Sequence, residues 1–190
     1  MKNNILLNPF AVLSDKNQII IGIASLIIGT LLSYFLHVNI QVLRINPLTD
    51  LSFIEVVTDQ VILISLLTFS FFGIGKIINS KTRLIDIFNG ICIASIPLYI
   101  SLFQNINNFL TDETNKLVEE MQNGNILNLS ASFLFLFISL LGFVFFIYYV
   151  YLLFVGFKTA TNAKKAWHYV LFFVTLIVMD LIVSFLINSI

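Results

Sequence analysis

Residues 19–36 read IIIGIASLIIGTLLSYFL, eighteen consecutive positions without a charge. A helix rises 1.5 Å per residue, so about 20 apolar residues cross a hydrocarbon core about 30 Å thick. The stretch is therefore a candidate membrane span. Lys2 and Lys16 precede it as they would precede a signal peptide. The apolar run is longer than such a leader's core, however, and no Ala-x-Ala-like cleavage site follows. It reads as a retained first span.

Four more stretches of the same character follow, which places spans at about Asn17–Val38, Val57–Ile77, Ile87–Leu110, Leu127–Val155 and Ala166–Asn188. Composition agrees: 58% of the 190 residues are hydrophobic and 11% charged, and mean hydropathy is +0.98. A soluble domain carries about 25% charged residues; lipid solvates the surplus apolar side chains directly. The expected architecture is all-α, a polytopic bundle of five transmembrane helices over residues 17–190 after a short interfacial segment, 1–16. Zero formal net charge gives a nucleic-acid partner no electrostatic support. The single cysteine, Cys92, cannot form an intrachain disulfide and reads as a small buried hydrophobe. No internal repeat is evident.

The basic residues orient the bundle. With the N-terminus in the cytoplasm, Lys2, Lys16, Lys76, Lys81, Arg83, Lys158, Lys164 and Lys165 fall inside, and only Arg44 and Lys116 fall outside. That is the positive-inside pattern, with the C-terminus outside. Tyr148, Tyr149, Tyr151, Trp167 and Tyr169 fall at the inner interface, where amphipathic rings prefer to sit. The connections are short and polar. Two should carry short helices. Asn8 can cap a helix that begins at Pro9, with Phe10 and Leu13 resting on the inner leaflet. On the outer face, residues 111–124 place Asp112 and Glu113 at a helix start, pair Leu117 with Met121, and supply Gly124 as a stop.

Asp180, in Val-Met-Asp-Leu-Ile-Val, is the one acid well inside a span, and Ser184 and Asn188 follow it on the same helical face. An acid at such depth costs about 2.5–3.5 kcal/mol on insertion scales. No lysine or arginine lies in another span to pair with it, so the expectation is a protonated group or one held by neutral hydrogen bonds. Tyr34, His37, Asp59, Gln60, Gln104 and Asn105 reach a similar depth. Two readings stand: a proton- or ion-linked site within an outer polar cluster, or a buried hydrogen bond that holds the bundle together. Pro97 interrupts the third span as a hinge or as a static kink, with Ser95 and Ser101 available to freed backbone groups. The stripe Ser25-x-x-x-Gly29-x-x-x-Ser33 permits close helix approach, within the chain or in a homodimer. The basic inner loops suit anionic lipid headgroups. The acids of residues 112–120 lack the spacing of a calcium loop and read as a solvated face. Asn128-Leu-Ser130 matches a glycosylation sequon at a span end.

Enzyme signatures are absent. His37 and His168 fall at opposite ends, which argues against a shared metal, and no Gly-x-Ser-x-Gly, Walker or dinucleotide pattern occurs. The sequence thus gives no catalytic, metal or cofactor residue.

Three stretches carry a family likeness: Asn8-Pro9-Phe10 before the first span; the basic loop Lys81-Thr-Arg83-Leu-Ile-Asp86 leading to Ala94-Ser95-Ile96-Pro97; and Gly156-Phe-Lys158 followed by Asn162-Ala-Lys-Lys165-Ala166. Together they resemble the Yip1 family of small five-span membrane proteins, in its bacterial form. The resemblance implies an integral protein of a bacterial-type cytoplasmic membrane and transfers no settled activity; the non-enzymatic expectation rests on the short loops, the small-residue stripes and the missing catalytic groups. Eukaryotic relatives work in vesicle traffic with small GTPases through a long N-terminal region bearing an Asp-Leu-Tyr-Gly-Pro-like motif. About 16 residues precede the first span here and that motif is missing, so the GTPase role is not carried over. The expected function is interaction with membrane lipids, a membrane-protein partner or a second copy of the chain. The rival expectation is a small transporter or channel component built on Asp180.

Overall fold

The structure, a computed structural model, describes residues 4–47, 52–123 and 132–187. Five of its helices are long and apolar enough to cross a membrane. The protein is an all-α, multi-pass membrane bundle. The proposed sequon at Asn128, the helix stop at Gly124, and Asn188 and Lys2 lie outside the described residues.

The chain opens with α1 (Pro9–Val12), capped as expected when Asn8 Oδ1 accepts the Ala11 N–H at 3.2 Å. Its face is not the expected one. Phe10 is buried in a notch of the bundle at Gly156, where an added Cβ would come within 3.1 Å of the Phe10 ring. The phenolic groups of Tyr148 and Tyr151 hold this segment further by donating to the Leu6 and Leu7 carbonyls at 2.7 and 3.0 Å. A glycine at 156 leaves a pocket that an aromatic ring fills better than lipid does, and the one-dimensional pattern does not contain that pocket.

The first span, α2 (Asp15–Phe35), is capped by Ser14, which accepts the Asn17 N–H at 3.4 Å. The second, α3 (Phe53–Ile78), begins with a reciprocal capping box between Ser52 and Glu55. The third span lies at the centre of the bundle. Of the 18-residue apolar stretch that qualifies it as a span, 67% is buried, against 11% for the fourth. It is also broken twice. α4 (Leu84–Ala94) gives way to α5 (Ile96–Ser101) at Ser95, just ahead of Pro97, whose ring excludes the preceding backbone turn. Ser25 of α2 donates to the Cys92 carbonyl beside this break at 3.1 Å. Ser95 and Ser101 donate to the Ile91 and Leu98 carbonyls within the segment.

The second break was not expected. A 3₁₀ segment, Leu102–Asn108, leaves helical geometry at Asn105 to Asn107, and Asn107 and Asn108 adopt left-handed backbone at φ 54° and 59°. Asparagine is among the few residues that tolerate this region. The chain thereby turns out of the span into the amphipathic α6 (Phe109–Gln122), where nothing beyond Thr111 is buried.

The fourth span, α7 (Phe133–Thr161), runs six residues past its expected end at Val155. The fifth is α8 (Ala166–Ile187). α4 packs on α7, α2 and α3, while α3 packs on α8. Phe71 and Phe172 stack at 5.1 Å between α3 and α8, and Phe157 of α7 closes on both rings. The small stripe of α2 faces into the bundle: Gly22 lies against Cys92, and Gly29 against the ring of Tyr99.

The connection after α2 departs most from its expected form. In place of a polar surface loop, the chain forms a β-hairpin, β1 (Val38–Ile40) antiparallel to β2 (Ile45–Pro47), with Val38 paired to Pro47 and Ile40 to Ile45. Val38, Ile40 and Val42 are at most 2% exposed and belong to the main core. The hairpin enters the end of the bundle, and this end is called the hairpin end below. Backbone outside a helix is tolerated at membrane depth only where protein or a water-filled cavity surrounds it. Here the helices cover β1 and Val42, while β2 is half-buried.

Candidate functional site

His37 starts the hairpin. It follows α2 with φ 51°, a left-handed turn that sends the chain back into the bundle. The stem is then tied to two neighbouring elements. Asn39 Nδ2 donates to Asp59 Oδ2 of α3 at 2.6 Å. Asn105 Nδ2 donates to the Leu36 carbonyl at 2.8 Å, and its Oδ1 accepts both the backbone N–H and the hydroxyl of Thr111. Asn105 therefore joins the end of α2 to the start of α6, and its side chain supplies what the broken helix lacks.

The tip meets Asp180. Gln41 N–H donates to the Arg44 carbonyl at 2.9 Å, closing the turn. That turn directs the Leu43 N–H to Asp180 Oδ1 at 2.9 Å and the Arg44 guanidinium to Asp180 Oδ2 at 3.1 Å. The second guanidinium nitrogen donates to Ser184 Oγ at 3.3 Å. The spacing of Asp180 and Ser184, one helical turn apart on α8, matches the reach of one guanidinium. The expectation that Asp180 lacks a cation is corrected. No other span supplies one, but the re-entrant hairpin does. Asp180 is 9% exposed at its side chain and Arg44 46%, so the pair seals the carboxylate below while the guanidinium still meets the surroundings above.

Of the expected site residues, the structure joins Asp180 and Ser184 to the hairpin tip, and Asp59 and Asn105 to its stem. Gln60 stands apart from these contacts; it accepts from the Tyr99 hydroxyl at 3.4 Å, inside the bundle. Gln104 packs beneath α7, where a side chain at Gly142 would collide with its amide. With Val38, Ile45 and Asn105 it lines a largely apolar cavity of about 270 Å³ beside the hairpin. Tyr34 packs edge-on to Phe53 and takes no part in the site. Pro97 is buried at the first break, remote in sequence from every ligand of Asp180.

Sequence reasoning missed Arg44, Asn39 and Gln41. Gln41 is 1% exposed and its Oε1, like the Nδ1 of His37, finds no hydrogen-bond partner among the described residues. The available signal was the alternation Val38-Asn-Ile-Gln-Val42, a strand period inside a loop.

At the opposite end, Arg83 bridges Asp86 at 2.6 Å and Asp15 at 3.0 Å, and these two carboxylates hold its guanidinium pKa above the ordinary value. His168, at the start of α8, accepts the Lys164 and Lys165 N–H groups through Nδ1 at 3.2 and 3.4 Å, so it caps that helix. Among the described residues, no three His, Cys, Asp or Glu side chains come together as metal ligands.

The arrangement can lock a hairpin onto three helices. It presents no nucleophile beside a base. No family model matches the sequence, and no curated protein or solved structure is significantly similar to it.

Proposed function

We propose that this is a Yip1-like protein of a cytoplasmic membrane, N-terminus inside and C-terminus outside, that acts without catalysis by contacting other membrane components. The carrying observation is how Asp180 is used. Both of its oxygens are taken by the chain's own hairpin, so this buried acid of the fifth span serves closure of the bundle. The exposed surface, by contrast, is broadly apolar: Phe133, Leu136, Phe137, Leu140 and Val144 of α7 are all more than half exposed. The distribution of basic residues supports the orientation, and reporters fused at residues 1 and 190 should report opposite sides of the membrane. The basic loop and the Ala94-Ser95-Ile96-Pro97 stretch support the family reading.

The test is cross-linking in native membranes followed by mild solubilisation. A partner recovered in fixed stoichiometry, and still recovered with Asp180→Asn, is the expected result. A chain that stays monomeric and partnerless in native-like lipid overturns the proposal.

One observation favours the transporter reading. Arg44 is half-exposed, and the same connection holds a Gln41 Oε1 and a His37 Nδ1 that have no hydrogen-bond partner among the described residues, polar groups that an ion-linked path would use. That reading requires a proton- or ion-linked flux in liposomes that Asp180→Asn abolishes.

A further inference from the structure

The second break in the third span opens a cleft of about 510 Å³ between α6, the 3₁₀ segment and the first half of α7. Its two walls differ in chemistry. Phe103, Ile106 and Ile138 form an apolar wall, with Phe103 50% and Ile106 48% exposed. Asp112, Glu113 and Lys116 of α6 form the other. Asp112 and Lys116 are one helical turn apart, on one face, with Cβ atoms about 5–6 Å from each other. Lys116 Nζ pairs with Glu113 Oε1 at 2.8 Å, and Glu113 also engages Ser132, the N-cap of α7, so the charged wall is fixed to both helices. Within α6 as a whole, four carboxylates stand against one ammonium.

The cleft lies where two spans leave the membrane. α5 and its 3₁₀ extension end there, and α7 begins there. An apolar wall continuous with the lipid-facing surface of α7, below a wall that carries charges of both signs, fits a molecule with a tail and a dipolar head. We infer that this cleft binds a zwitterionic phospholipid. Lys116, held in place by Glu113, faces the phosphate, Asp112 faces the headgroup ammonium, and an acyl chain runs along Phe103, Ile106 and Ile138. The excess of carboxylate disfavours a headgroup that is anionic overall. The inference rests on the membrane-interaction reading above and names its lipid class.

The test is native mass spectrometry of the full chain, purified in detergent and supplied with phosphatidylethanolamine or phosphatidylglycerol. One phosphatidylethanolamine per chain should survive activation several-fold better than phosphatidylglycerol. Lys116→Gln should lower retention by weakening the phosphate contact. Ile138→Trp, which fills the apolar wall and leaves every charge in place, should lower it independently. Ile177→Trp, on the exposed face of α8, should not. Equal retention of the two lipids, or retention unchanged in both cleft variants, overturns the inference. Recovery of a cross-linked partner is unaffected by either of those outcomes, so this site and the wider reading fail separately.

Discussion

Arg44→Ala is expected to destabilise the bundle by about 2–3 kcal/mol, below the roughly 3–5 kcal/mol of a fully buried pair because Arg44 is half exposed. The loss comes from stranding the Asp180 carboxylate among apolar helices. Asp180→Ala should cost a similar amount by another route. The guanidinium can turn outward, but the half-buried Leu43 N–H is left without its acceptor. Asp180→Asn separates the two effects. It keeps an oxygen for the Leu43 N–H and removes the charge, so it should be the mildest of the three. In the Asp180→Asn background, Arg44→Ala should then be nearly neutral. Reversible unfolding in mild detergent measures the cycle. The expected coupling energy is about 2–3 kcal/mol, the upper part of the usual range for groups in contact. Strict additivity would mean that the ion pair does no work.

Gly29 carries the second large effect. An added Cβ there would collide with the ring of Tyr99, a residue 5% exposed and hydrogen-bonded to Gln60. Relieving the clash means displacing that ring and its bond to Gln60, so Gly29→Ala should cost about 1–3 kcal/mol even though alanine suits a helix better than glycine does. Gly29→Leu should prevent α2 from docking. Gly73 provides the contrast, because nothing lies within 4 Å of an added Cβ there. Gly73→Ala should stabilise the protein by about 0.5–1 kcal/mol. Melting temperatures of the two alanine variants should therefore move in opposite directions from the parent.

The five spans were legible because a bilayer imposes two demands at once, length and apolarity, and few other structures satisfy both. α6 was legible from Asp112 at its start and the Leu117–Met121 pair. The kink at Pro97 was legible because proline acts through its own backbone. The second break was not. Asn105 acts through Thr111 and the Leu36 carbonyl, partners distributed over two helices, and Asn107 and Asn108 contribute through their left-handed backbone. Phe10 was assigned to the leaflet because its notch at Gly156 exists only after α4 and α7 have packed.

The hairpin was the main omission. Strand alternation normally signals one buried face and one wet face. In residues 38–42 both faces are buried, and so the polar Asn39 and Gln41 read as surface loop. Asp180 was recognised as the acid of interest, yet its partner was sought only within spans, and Arg44 is not in one. Both errors share a cause: a segment too short to span was assumed to stay outside.

Cysteine accessibility at the hairpin tip tests that point most directly. Val42 is fully buried and close to cysteine in size, and the native Cys92, also fully buried, provides an internal unreactive control. In sealed membranes, Val42→Cys should resist a membrane-impermeant maleimide, and adding Asp180→Ala should make it react as the hairpin lifts. Rapid labelling of Val42→Cys in the otherwise unaltered chain would contradict the account, because the connection would then be the exposed loop that its length suggests.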